Sequence, residues 1–133
     1  MLFRSLRLVE QDALFEITDK MIQKDPKAAL AVLNRLIDEG KDTAVFLASL
    51  IEHFRNLMVA KVSKGDQKLI DLPVEICQRL LGQCSLFSLE EIFSAFNILV
   101  SAQEMAKRLD SVRIPLEICL IRQISSEIGR AHV

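Results

Sequence analysis

The stretch from Asp42 to Lys64, DTAVFLASLIEHFRNLMVAKVSK, constrains this chain more than any other. Leu47, Leu50, Ile51, Phe54, Leu57, Met58 and Lys61 recur at i, i+3, i+4, i+7 spacing, which sets them on one side of a helix. Phe46 and Val62 widen that stripe. Val45 and Val59 lie towards the opposite side with Ser49, Glu52 and Asn56, where a surface helix would be polar. A segment this apolar is expected to pack against more than one neighbour.

The rest of the chain is built to supply those neighbours. Its 133 residues predict one domain, and a chain of that size buries roughly two thirds of its unfolded surface without a staple. With only four Gly and three Pro, long helices with few breaks follow, an all-α compact bundle of about six. A formal net charge of -1 argues against strong non-specific binding to nucleic acid. Cys77, Cys84 and Cys119 each sit inside an apolar helical pattern, so they read as small hydrophobes in a reducing cytoplasm. Cys77 and Cys84 lie one heptad apart, but no His, Asp or third Cys nearby would complete a metal site. No apolar run reaches the roughly 18 residues of a membrane span, and no hydrophobic region follows the first residues as in a signal peptide.

The two ends read differently from the middle. MLFRS at residues 1–5 and EIGRAHV at 127–133 resemble translated sequencing adapter, leaving residues 6–126 as the helical domain. His132 goes with that tail, and the natural protein is expected to continue beyond one or both ends.

Punctuation divides the domain. Helix 1 is expected over Gln11 to Lys24, with Leu14, Ile17, Thr18 and Met21 on one face. Asp25 and Pro26 then serve as N-cap and first residue of helix 2, which runs to Glu39 on Ala29, Leu30, Leu33, Leu36 and Ile37. Gly40 can take the left-handed turn and Asp42 can cap helix 3. After a polar loop from Ser63 to Asp71, helix 4 starts near Pro73 and carries Ile76, Cys77, Leu80, Leu81 and Cys84. Ser88 with Glu91 is a capping box, and Phe87 with Ile92 fits the accompanying hydrophobic staple.

Helix 5, Leu89 to Leu109, has two stripes. Leu89, Ile92, Phe93, Phe96, Leu99 and Val100 form one; Ile98, Ala102, Met105 and Leu109 form the other, half a turn round. Helix 6 is expected from Pro115 to Ser126, since Pro115 disfavours helical conformation in the residue before it. Leu116, Ile118, Cys119, Leu120, Ile121 and Ile124 make it apolar nearly all round, as a covered helix would be.

No catalytic, cofactor-binding or metal-binding constellation emerges. His53 is the one candidate imidazole, placed at the edge of the helix 3 stripe with no nucleophile set beside it by local spacing. Glu90 and Glu91, like Asp110 beside Arg108 and Arg113, read as capping and solvated charge. Lys61, Lys64 and Lys68 form a small basic cluster that reads as a solvated face, and there is no glycine-rich phosphate loop. The sharper signal is surplus apolar surface on helices 5 and 6. A two-layer bundle would absorb part of it, and another subunit would cover the remainder. The expected contact residues are Ile98, Ala102, Met105 and Leu109 on helix 5, with Arg55 and Val59 on helix 3.

The order of these pieces resembles a known family. QDALFEITDKMIQKDPKAALAVLNRLIDEGKD, FLASLIEHFRNLMVAK, DLPVEICQRLLGQCSLFSLEEIFSAFNILVSAQEMAKR and IPLEICLIRQIS follow the register of the third domain of the bacterial DNA polymerase III gamma/tau subunit. The resemblance spans Leu6 to Ser126 and rests on order and spacing. It implies a non-catalytic, all-helical clamp-loader collar in a cytoplasmic replication complex. That collar holds ATPase motors in a ring that loads the sliding clamp on primed DNA. The implied partners are further gamma/tau copies and the delta and delta-prime subunits. ATP would belong to the motor domains, DNA would be met only through the whole complex, and no membrane is involved. Asp110 to Arg113 departs from the Asn-Pro-like turn that the family sets before the last helix. A standalone adaptor gripping a partner's amphipathic helix is the alternative reading; an enzyme built on His53 ranks below it.

Overall fold

A computed structural model describes the backbone at residues 2–66 and 68–131, and side-chain surroundings at 11–66 and 68–123. Six helices follow one another: α1 (Leu2–Ile22), α2 (Pro26–Asp38), α3 (Thr43–Ser63), α4 (Val74–Cys84), α5 (Leu89–Leu109) and α6 (Arg113–Ala131). Both suspect ends of the chain lie within or next to α1 and α6, outside the residues with described side-chain surroundings, as does Ile124; His132 lies outside the described residues altogether.

Local chemistry sets the helix ends. The Asp25 carboxylate accepts from the Ala28 N–H with Pro26 in the first turn, and Asp42 accepts from the N–H groups of Ala44 and Val45. Each satisfies donors that a helix start would leave orphaned. Ser88 and Glu91 close the reciprocal capping box, with Phe87 and Ile92 both buried beside it. Gly40 takes the left-handed conformation at φ 79°, as the sequence leads one to expect. Lys24, Lys64 and Asp110 take it as well, although none is glycine.

Two boundaries differ from the sequence reading. α1 begins at Leu2 instead of Gln11, and α6 begins at Arg113, ahead of Pro115. Proline in a first turn removes only an N–H that has no intrahelical acceptor, so Pro115 is tolerated there. The Leu116 N–H reaches back to the Val112 carbonyl at 3.1 Å and confirms the earlier start.

Packing makes α3 the spine. Leu47, Leu50, Phe54 and Leu57 are fully buried, and each such side chain stabilises the fold by about 1.5–3 kcal/mol relative to exposure. α3 lies against α4 and α5, α5 against α6, α6 against α2, and α2 against α1. α1 closes the set by also meeting α3, α4 and α6. Ile70, from the loop between α3 and α4, is fully buried too, which anchors that loop to the core. Val62 and Phe93, read as stripe residues, instead stand exposed.

Candidate functional site

His53 is a titratable side chain buried in the interior. The sequence reading put this histidine at the edge of a stripe; in the fold it is 2% exposed, because α1 and α4 close over α3. Its Nε2 lies 2.8 Å from Gln83 Oε1, while Gln83 Nε2 donates to the Phe15 carbonyl at 3.1 Å and to Asp19 Oδ1 at 2.7 Å. With the Gln83 amide thus oriented, His53 Nε2 carries the proton and donates. Burial, outweighing the hydrogen bond to Gln83 and the Asp19 charge, pulls the imidazole pKa down to about 4. The ring is a neutral brace between three helices.

Around that brace α4 is held to α1 by a second contact. Arg79 lies 4.1 Å over the Phe15 ring and 2.7 Å from Asp12. On the far side of α4, Lys61 Nζ donates to the Cys84 carbonyl at 3.1 Å, serving a helix end that has unpaired acceptors. Lys61 therefore acts inside the fold and does not join Lys64 and Lys68 in a free basic patch. All three thiols are buried, and desolvation raises their pKa values, that of Cys119 to about 12. Among the described residues no group of three or more His, Cys, Asp or Glu could hold a metal ion.

The residues expected at a subunit contact differ in exposure. Leu109 is 54% exposed at the end of α5, and Met105 is half-buried. Ile98 and Val59 are half-buried and packed on this chain's own core. Ala102 is buried, so its methyl group is not available at the surface: α5 lies between α3 and α6, and this part of the second stripe faces them. Arg55 is exposed elsewhere, donating to Asn56 Oδ1 at 2.9 Å beside the loop that carries Leu69.

An apolar patch lies one helix further on. Ile114, Ile118 and Ile121 are 53%, 46% and 45% exposed and fall at i, i+4, i+7 on α6. They make a stripe about 10 Å long on the outer face, while Leu116, Cys119 and Leu120 hold the inner face in the core. The sequence reading expected surplus apolar surface on helices 5 and 6, but named its contact residues on helices 5 and 3 and not these three. The signal was present: a helix apolar on every side, last in a small bundle, has more stripe than its neighbours can cover. Arg113 borders the stripe on the α2 side, donating to Asn34 Oδ1 at 2.9 Å and lying 3.8 Å from Glu117. Arg122 is exposed on the other side, and Lys107 and Arg108 end α5 near Leu109.

The structure is thus an all-helical bundle with an exposed apolar stripe on α6. Comparison with known proteins gives the family. The family described as DNA polymerase III subunits gamma and tau domain III matches residues 6–130, and the chain belongs to it. Among solved structures, the Bacillus subtilis DNA clamp loader delta protein (YqeN) has the same fold, with a TM-score of 0.74 at 16% identity. The likeness covers 87% of this chain and 37% of that one, so this chain spans well under half the length of that protein. Comparison with curated proteins gave no match. Among the described residues, no single helix is long and apolar enough to cross a membrane.

Proposed function

We propose that this domain is a clamp-loader collar that joins subunits through the outer face of α6. The observation that carries the reading is the exposed Ile114–Ile118–Ile121 stripe, apolar surface that the bundle leaves in water although its own core is closed. Family membership supports the setting. In the parent subunit the motor domains bind ATP, and the collar keeps them in a ring while the sliding clamp is placed on primed DNA. Its neighbours are further gamma/tau copies and the delta and delta-prime subunits, in the cytoplasm, with DNA met only through the whole complex. A standard interface takes roughly 800 Å² per partner, within the reach of one helix face and its flanks.

The collar acts without catalysis of its own: it contributes rigid apolar surface, and the neutral His53 brace serves its internal order. Two grooves among the described residues flank α1, lined from α1, the end of α2, α3 and the α3–α4 loop. Ile118→Asp tests the proposal. The variant should keep wild-type helicity by circular dichroism yet fail to co-elute with clamp-loader subunits that retain the wild-type chain. Co-elution equal to wild type would overturn it.

A further inference from the structure

We infer that the pocket between α1, α3 and the α3–α4 loop binds a small uncharged molecule with an amide-like edge, a hydrogen-bond acceptor next to an N–H donor. The site stands apart from the α6 stripe and does not depend on the collar reading. Its volume is about 370 Å³, within the range of about 300–1,000 Å³ that small-molecule sites occupy. α3 supplies one wall, where Ser49, His53 and Asn56 fall at i, i+4, i+7 and so share a helix face. Leu14 of α1 and Leu69 and Leu72 of the loop add apolar surface.

Bonds made behind this wall fix what it presents. Asn56 is 6% exposed, and its Oδ1 accepts from Arg55 Nη1 at 2.9 Å, which orients the amide and leaves Nδ2 as a donor. His53 Nε2 donates to Gln83, which leaves Nδ1 as an acceptor. Among the described residues neither Asn56 Nδ2 nor His53 Nδ1 has a partner, and neither is sealed in the interior as the unpartnered Thr18 Oγ1 and Gln123 Oε1 are. The space these two side chains line is this pocket. Buried polar groups are ordinarily paired, so a donor and an acceptor three residues apart on one helix face call for a ligand edge with the reverse pair. Charge narrows the class further. Glu52 and Asp71 line the pocket, both exposed, and among the described residues neither forms an ion pair. Arg55, its cation, is engaged with Asn56 and lies 3.4 Å from the Leu69 carbonyl. An anionic ligand would meet two free carboxylates; a neutral carboxamide or nucleobase edge would not.

Residue-resolved NMR titrations of the isotope-labelled chain with benzamide, cytosine and benzoate test this. Benzamide and cytosine carry the acceptor–donor edge, one as a carboxamide and the other as a nucleobase. Benzoate has the shape of benzamide but a charged edge with no donor. At about 10 mM, where a weak site fills, benzamide, cytosine or both should shift the backbone signals of Ser49, His53, Asn56 and Leu72. Whichever of the two binds more tightly tells a carboxamide ligand from a nucleobase. Benzoate should bind at least about tenfold more weakly than the tighter of them. Asn56→Asp keeps the acceptor for Arg55 but turns the donor into an acceptor, and should weaken binding at least about tenfold. Ser49→Leu, at a half-buried position, narrows the pocket while leaving Asn56 and His53 in place, and should weaken binding as much even if Asn56→Asp does not fold. No shift with either benzamide or cytosine would overturn the inference. So would benzoate binding as well as they do, or unchanged affinity in a folded variant.

Discussion

At the junction of α1, α3 and α4, His53, Gln83 and Asp19 form a polar chain with the histidine and glutamine buried, whereas on the outer face of α6 three isoleucines stand half in water. Residue type alone would have placed each set on the other side of the surface. The junction tolerates polarity because every contact is made within the chain: Nε2 to Oε1, then the amide to a carbonyl and a carboxylate. The α6 face has no such closure. Polar groups paired within the chain mark an interior closed by the fold itself, whereas the aliphatic stripe of α6 stays exposed.

The largest effect that could break this contrast is pH. An unfolded histidine takes up a proton as pH falls through about 6.5, while His53 in the fold resists it until about 4. Between those values the unfolded state binds more protons, so stability falls as pH drops through the window and is regained above it. The difference amounts to about 3 kcal/mol. Urea titrations at pH 7 and pH 4 should show the wild type losing that much more than His53→Gln, which can still donate to Gln83 but does not titrate. Equal losses would mean that the ring is hydrated or charged in the fold.

A smaller effect probes the same junction at constant pH. Gln83→Leu fills similar space but strips partners from His53, the Phe15 carbonyl and Asp19, and should cost about 2 kcal/mol by chemical denaturation. A loss well under that would show the polar chain to be dispensable. The smallest effect sharpens the other side of the comparison. Ile118→Ser should change monomer stability by no more than about 0.5 kcal/mol, since the side chain is already half in water. A larger loss would mean that the stripe serves this fold and not a neighbour.

Much of the architecture could be read from short-range chemistry. Asp25-Pro26, Gly40, Asp42 and the Ser88–Glu91 box act over three or four residues, and each marks the break that the fold shows. The burial of Leu14, Ile17 and Met21 likewise follows from helical spacing. His53 was misplaced because its environment comes from residues 30 and more positions away, Gln83 and Phe15, which periodicity along α3 does not register. On α6 the surplus apolar surface was legible, but which of its residues stay outside was not, for a related reason. A helix apolar on all sides records that it is to be covered, not by which molecule. Within this chain Ala102 is buried and Ile98 is packed half-buried on the core, a matter of how α3 and α6 flank that helix, which spacing along α5 does not register.

The three cysteines give the domain an internal clock. α4 holds Cys77 against the α3–α4 loop and Cys84 next to Gln83, and α6 holds Cys119 on its inner face, all buried and with thiol pKa values raised by desolvation. A thiol reagent therefore has nothing to attack until a helix lifts away. The rate at which each sulfur is modified would time the breathing of the two regions separately, with no label engineered into either.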